Sequence, residues 1–354
     1  MAGVVVRSED LKELVARVFV AMGCSVDEAG RIALYLVNAN LTGHDSHGVV
    51  RVPRYVTWVR DGTLVPNRQM TVVSESDGFA VIDGGYGFGQ SIGPQAVGLG
   101  IQKAARHGTA IVALRSSGHL GRIGEWAEMA AEAGQVSIHM VNVAGSCLVS
   151  PFGAIDRRMS TNPFAAGVPL PDRPPLILDF ATSVVAEGKV LVAYNGGKPL
   201  PPDSLITSDG RLTSDPEAFY GPHQSGGSPN PREGLGAIRA MGEHKGSGLA
   251  FMMELLGGAL TGSGCAGPGT RRVANGMLSI YLTPEAFGAA DGFADEVRTY
   301  VDFFKSARPA VEGGEVLVPG EPERRTRAAR LADGIPIPEP TWQAIQETMR
   351  DLGV

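Results

Sequence analysis

The sequence predicts an α/β fold with a helical N-terminal region. Residues 8–60 carry apolar side chains at helical spacing. From about residue 70, short β-branched runs alternate with segments of helix length. The one glycine-rich strand-to-helix turn, VIDGGYGFGQSIG, misses the dinucleotide spacing: Gly87-x-Gly89-x-x-x-Gly93 is one residue longer than G-x-G-x-x-G.

In order, Ser8 followed by Leu11, Leu14, Val15 and Val18 reads as an N-cap and an apolar helical stripe. Val26 to Asn40 repeats the pattern after a break at Gly23, with Ile32, Leu36 and Val37 as its apolar side. TVVSES and FAVIDGG read as strands, QSIGPQAVGLGIQKAARHG as a helix, TAIVALRSS as a strand, GEWAEMAAEAG as a helix and VSIHMVNVA as a strand. LILDFATS reads as a buried strand entering a polar loop. Residues 196–236, rich in Gly, Pro, Ser and Asp, read as an excursion with little regular structure. An apolar helix over 249–261, a strand at MLSIYLTPEAF, a helix over 292–308, a strand then loop at VLVPGEPERR and a terminal helix at PTWQAIQETMRDLGV complete the chain. The expected division is a helical region over 1–70, packed with the C-terminal helix 335–354, and an α/β cofactor- and substrate-binding region over 71–334.

Bulk properties narrow the function. A net charge of -6 over 354 residues leaves no basic stripe to neutralise phosphates, which argues against nucleic acid. Arg324, Arg325, Arg327 and Arg330 form the one dense basic run and, with Glu321 and Glu323 beside them, read as a solvated surface segment. The three cysteines are far apart and never in C-x-x-C, so a reducing, cytoplasmic setting is expected. The most apolar stretch, LAFMMELLGGALTG, is interrupted by Glu254 and too short for a bilayer. No H-E-x-x-H or clustered carboxylates appear, which points away from metal chemistry.

GHDSHGVVRVPRYVTW is the densest polar cluster. Reducing a keto acid needs a proton donor at the carbonyl oxygen and a cation for the carboxylate; histidine suits the first task and the arginine fork the second. His47, Arg51 and Tyr55 are spaced by four, so one continuous helix would align them, although Pro53 would kink or restart it. The alternative is Asp45 or Ser46 as an N-cap with His47 and Arg51 merely exposed. His119, in SSGHLGRIGEW after a strand, is either an active-site imidazole or a turn residue. Asn162-Pro163, and Asp179 with Thr182 and Ser183, suit either ribose and pyrophosphate contacts or plain turns. Lys245 in GEHKGSG, before an apolar helix, could meet a phosphate.

DSHGVVRVPRY, SSGHLGRIGEW, PFGAIDRRMSTNPFAAGVP, LDFATSVVAEGK, HKGSGLAFMMELLGGALTG and PGEPE occur together in an order that resembles the malate/L-lactate dehydrogenase family of the non-Rossmann type. That family includes ureidoglycolate, sulfolactate and diketogulonate dehydrogenases and the cyclic-ketimine reductases. The resemblance implies an α/β fold that is not doubly wound. It also implies hydride transfer between NAD or NADP and C2 of a small 2-hydroxy or 2-keto acid of malate or lactate type. Carried onto matching positions, it makes His47 the acid/base, supported by Ser46, and His119 a second catalytic or orienting imidazole. Arg51 would clamp the substrate carboxylate with Tyr55 nearby. The cofactor would meet Asp179, Phe180, Ala181, Thr182 and Ser183, then His244 and Lys245, then Gly320, Glu321 and Pro322, with Ser160, Thr161 and Asn162 as further contacts. Asp179 is expected to orient a histidine. The resemblance also implies a homodimer or higher homo-oligomer with sites near the subunit boundary. Alternatives are reduction of a cyclic imino acid and a non-catalytic metabolite-binding relative. Glu243 and the loops GSCLVSPFG and 221–233 depart from the family pattern and leave the substrate open; a like charge at Glu243 would disfavour a nearby phosphate.

Overall fold

The computed structural model describes residues 3–194, 198–222, 234–267, 272–289 and 292–354. It opens with strand β1 (Gly3–Val6), helices α1 (Ser8–Ala21) and α2 (Val26–Leu41), two 3-10 turns (Asp45–His47, Val49–Arg51) and α3 (Val52–Arg60). Then come β2 (Thr71–Glu75), β3 (Phe79–Asp83), α4 (Gly89–His107), β4 (Thr109–Ser117), α5 (Gly124–Glu132) and β5 (Val136–Ala144). The middle carries β6 (Val149–Ser150), β7 (Phe164–Val168), β8 (Leu176–Phe180), α6 (Glu187–Tyr194), β9 (Leu205–Ile206), β10 (Leu212–Thr213), α7 (Glu217–Tyr220), β11 (Ala237–Arg239) and α8 (His244–Met253). Last are β12 (Ala274–Leu282), α9 (Phe293–Lys305), α10 (Glu321–Asp333), β13 (Ile335–Pro338) and α11 (Glu339–Leu352).

The chain divides into two compact units. One holds residues 140–164 and 180–277, the other residues 2–139, 165–179 and 278–354. The helical region expected over 1–70 therefore shares its unit with α4, β4 and α5. Among the described residues the larger sheet has the order β2-β3-β4-β12-β5-β7-β8. β3 and β4 run parallel, joined through α4, as the alternation of strand and helix from residue 70 predicts. A second sheet runs β10-β9-β11-β6, and β1 pairs antiparallel with β13.

In the larger unit, α1, α2, α3 and α11 share one apolar core. Leu11, Val15, Val18 and Phe19 meet Ile32, Leu36, Val37, Tyr55, Phe88, Ile335, Ile337 and Ile345, all buried. α2 starts where Ser25 accepts a hydrogen bond from the Glu28 N–H at 3.2 Å, with Asp27 and Glu28 in its first turn. α1 differs from expectation by one residue: its N-cap is Arg7, without a side-chain bond, and Ser8 is already helical. The smaller unit closes on Val149, Val190, Leu205, Phe219, Ile238 and Ala250.

Four segments depart from the sequence reading. β1 and β13 are strands, because Ile335 and Ile337 alternate inward against the GVVV run. No strand forms at 316–319; instead Pro322 enters the first turn of α10 with Glu321 and Glu323 near its N-terminus. The apolar helix after HKGSG begins at His244 and continues past Met253 as a π-helix over Glu254–Ala259. The excursion keeps short elements at β9, β10 and α7, while its segment 223–233 lies outside the described residues. Among the described residues no helix is long and apolar enough to cross a membrane.

His139 on β5 is fully buried, its Nδ1 2.9 Å from Ser279 Oγ and its Nε2 3.0 Å from Ser137 Oγ. Burial pushes its pKa down from 6.5 to about 3. A group whose folded pKa is depressed stabilises the fold above its unfolded pKa and loses that contribution as pH falls toward the folded value. The fold is therefore expected to lose stability between pH 6.5 and about 3, with His139 contributing up to about 1.4 kcal/mol per pH unit. Urea unfolding of wild type and His139→Gln across this range checks it; parallel pH slopes would refute the assignment.

Candidate active site

The residues singled out around His47 sit on a short double turn, not a continuous helix. The 3-10 turn Asp45–His47 is followed by a second, Val49–Arg51, with Pro53 accommodated in the first turn of α3. Asn40 sets this path. Its Oδ1 accepts from Val49 N–H at 2.8 Å and its Nδ2 donates to Asp45 at 2.6 Å. Gly48 is required here, since a Cβ would lie 2.1 Å from Asn40 Oδ1. Arg330 clamps Asp45 through both carboxylate oxygens, at 2.6 and 3.0 Å, and also donates to the Asn40 carbonyl. The basic run of α10 is thus not merely a solvated face: one of its guanidinium groups anchors the His47 turn.

His47 and His119 are brought together, both half-buried. Their rings stack with centroids 5.5 Å apart and planes 15° from parallel. Ser46 Oγ lies 2.9 Å from His47 Nδ1. Arg51 Nε donates to the Ser46 carbonyl at 2.6 Å, which holds the guanidinium to the same turn. Tyr55 is 1% exposed, and its hydroxyl lies 2.6 Å from His119 Nδ1 and accepts from Gln90 Nε2 at 3.2 Å. So enclosed, Tyr55 meets His119 with its hydroxyl. Burial first, then the charges of His119 and Arg51, push the His47 pKa well below its usual 6.5. Burial, then Arg51 and Arg54, lowers that of His119 to about 3. Both imidazoles are neutral at pH 7.

The glycines of the failed fingerprint position His119. A Cβ on Gly89 would lie 2.2 Å from the His119 carbonyl oxygen, and one on Gly118 would lie 2.5 Å from the Gly87 oxygen. Gly118 N–H donates to that Gly87 carbonyl at 2.8 Å. The start of α4 and the loop after β4 therefore touch backbone to backbone.

Arg122 secures the far side of the loop. It is 3% exposed, paired with Glu128 at 2.8 and 3.1 Å, with Glu125 at 3.5 Å and with Asp179 at 3.7 Å. Burial would lower its pKa, but Glu128, Glu125 and Asp179 raise it overall. Burial pushes Glu125 up to about 7 against the pull of Arg122. Asp179 accepts from Gly124 N–H at 2.8 Å. Its partners are a backbone amide and Arg122, so it does not orient a histidine by hydrogen bonding.

The other expected cofactor residues fall in both units. In the smaller, Ser160, Asn162, Thr182 and Ser183 are buried. Thr182 Oγ1 donates to the Thr161 and Asn162 carbonyls at 3.0 and 3.1 Å, and Asn162 Nδ2 donates to Glu254 at 3.0 Å. These side chains shape the loop, while Thr161, Phe180 and Ala181 remain half-buried. His244 and Lys245 are exposed in the first turn of α8. Glu243 is paired with Arg239 at 2.7 Å, which offsets the charge that would otherwise oppose a phosphate there. In the larger unit, Gly320 lines a cavity of about 430 Å³ with Tyr35, Glu125, Glu128, Arg324 and Arg327. Glu321 bonds the Val318 N–H at 2.9 Å and pairs with Lys305, and Pro322 is exposed. Sequence reading missed Asn40, Gln90, Arg122 and Arg330, whose roles exist only through tertiary contact.

Residues 6–346 match the malate/L-lactate dehydrogenase family. The chain belongs to that family. Hydroxycarboxylate dehydrogenase B of Escherichia coli is 41% identical over 352 residues, 98% of this chain and 94% of that one. The solved malate dehydrogenase of Pyrococcus horikoshii superposes with a TM-score of 0.86 at 29% identity, covering 99% and 96% of the two chains. Delta1-piperideine-2-carboxylate reductase of Pseudomonas syringae superposes with a TM-score of 0.80 at 30% identity, covering 98% and 99%. This family is one of dehydrogenases acting on 2-hydroxy acids.

Gly89→Ala is expected to cost about 1–3 kcal/mol, because the clashing atoms are backbone. Denaturant unfolding measures the cost, and an unchanged midpoint would show that the contact is not tight.

Proposed function

We propose that the protein transfers a hydride between a nicotinamide cofactor and C2 of a small 2-hydroxy or 2-keto acid of malate or lactate type. The observation that carries this reading is a neutral His47 imidazole beside Arg51 on one anchored turn. A proton acceptor adjacent to a planar cation is what oxidation of a 2-hydroxy carboxylate requires.

In oxidation, Arg51 holds the carboxylate and so orients the C2 hydroxyl toward His47. Nδ1–H of His47, donating to Ser46 Oγ, leaves the Nε2 lone pair to take the hydroxyl proton. The C2–O bond becomes a carbonyl as the C2 hydrogen departs with its electron pair. In reduction, protonated His47 returns the proton to the carbonyl oxygen. The substrate carboxylate, by offsetting the charge of Arg51, raises the His47 pKa and favours that protonated form.

The residues present fit the cofactor. Lys245 and His244 in the first turn of a ten-residue helix suit a pyrophosphate, and the orphaned buried Asn162 Oδ1 marks a polar lining beside the loop that supports Phe180 and Ala181. When bound, the nicotinamide ring accepts or returns the hydride. Either NAD or NADP is compatible with these groups. A cytoplasmic homodimer, or a higher homo-oligomer, belongs to the same proposal. The likeness to a piperideine carboxylate reductase favours one second reading, reduction of a cyclic imino acid on the same scaffold.

Oxaloacetate, pyruvate and a cyclic ketimine, each assayed with NADH and NADPH by nicotinamide absorbance, separate these readings; turnover of the imine alone would reject the first. His47→Ala is expected to lower kcat at least ~10²-fold, and unchanged turnover would reassign the proton carrier. Arg51→Lys is expected to raise KM for the acid more than it lowers kcat, because a point charge replaces the fork; an unaltered KM would count against the clamp. For the free enzyme, kcat/KM of oxidation should stay level through pH 6.5 and fall only at more acidic pH, where His47 takes up a proton.

A further inference from the structure

We propose that Tyr55 is a positioning residue that locks His119 in the tautomer protonated at Nε2, so that His47 moves the proton while His119 only donates a hydrogen bond to the substrate oxygen. The catalytic half rests on the dehydrogenase reading above; the tautomer itself does not. A buried phenol must place its one proton on an acceptor. Gln90 Nε2 already donates to the Tyr55 oxygen, so the acceptor within reach is His119 Nδ1 at 2.6 Å. Burial holds Tyr55 protonated, with its pKa near 12. The opposite orientation of the Gln90 amide would bury an NH₂ group without an acceptor, whereas the observed one leaves only the carbonyl Oε1 without a partner. Buried orphan donors are the rarer and costlier fault.

A lone pair on Nδ1 that accepts from Tyr55 leaves the ring proton on Nε2, across the ring from the buried phenol. Among the described residues Nε2 has no hydrogen-bond partner. In this state His119 cannot take the substrate proton at Nε2, which already carries one, nor at Nδ1, which is occupied. It can polarise the carbonyl by donation, as a neutral imidazole does when its pKa is held low. His47 faces it at 5.5 Å with the complementary arrangement, its Nδ1 beside Ser46 and its Nε2 available as base. The charged and titratable groups around His119 are His47, Arg51, Arg54 and Tyr55, and the two arginines oppose a second positive charge on its ring.

The test is a long-range ¹H–¹⁵N spectrum of the ligand-free, histidine-labelled protein at pH 7.5, with His119 assigned by its loss in His119→Gln. Wild type is expected to show Nε2 protonated and Nδ1 bare. In Tyr55→Phe the same ring should move toward a mixture of tautomers, with kcat falling roughly 10-fold, the effect of one hydrogen bond, and KM for the cofactor unchanged. A wild-type ring protonated at Nδ1 would overturn the proposal, as would a Tyr55→Phe protein with the wild-type tautomer or undiminished kcat. The wild-type spectrum decides the tautomer even where Tyr55→Phe does not fold. It also needs no substrate, so absence of dehydrogenase activity would defeat the functional reading without touching the tautomer.

Discussion

Close backbone contact between the start of α4 and the loop after β4 is the constraint on which the site depends. A strand that ends at Ser117 can present the next residues at many angles. Here Gly118 and Gly89 remove the side chains that would hold the two segments apart, and the His119 carbonyl settles against α4. Gln90, the next residue of that helix, then reaches Tyr55, and Tyr55 reaches His119. One steric permission thus sets both the height of the loop and the hydrogen-bond partner of its histidine. Arg122 fixes the loop from its other end through Glu128 and Asp179, so His119 is held on both sides.

The second histidine is fixed by different means. Its turn is short and has no helical hydrogen-bond ladder, so side chains do the work: Asn40 satisfies Val49, Arg330 neutralises Asp45, and Arg51 bonds the Ser46 carbonyl. Such a turn aims His47 and Arg51 more freely than a regular helix, whose pitch would dictate the angle between them. The four-residue spacing of His47, Arg51 and Tyr55 implied one helix face, whereas the structure spreads them over two 3-10 turns and the start of α3. Two 3-10 turns before Pro53 bring His47 and Arg51 onto one anchored turn, while Tyr55 points into the core and meets His119 from below.

What could be read in the sequence was what local chemistry dictates. β3, α4, β4, α5 and β5 follow apolar periodicity and were legible to within a few residues. The glycine run around Gly87 was legible as a strand-to-helix turn, and its mismatch with the phosphate fingerprint is explained by packing: Gly93 makes room for the Trp126 ring, not a pyrophosphate. α10 was missed because its polar residues carry no apolar stripe; Pro at a helix start is a beginning, and Pro322 with Glu321 and Glu323 is the signal to read it so. β1 and β13 were missed because four residues carry too little pattern until they find each other across the chain. Arg330 and Gln90 offered no local signal, since each acts on a residue far away in sequence.

The electrostatics of the site follow from these anchors. Two imidazoles and Arg51 share one half-buried region, and a second positive charge there is opposed by burial and by the first. Burial alone would leave both rings neutral and interchangeable. What distinguishes them is the second atom each touches: a serine hydroxyl, which can either give or receive, for His47, and a phenol already receiving from an amide, which can only give, for His119. A serine oxygen that accepts from Nδ1–H does so whether or not Nε2 carries a proton, so the His47 ring can change protonation without breaking that bond. A phenol pinned by Gln90 allows His119 no such change. Asymmetry between two chemically identical side chains is thus produced by the hydroxyl groups that touch their Nδ1 atoms.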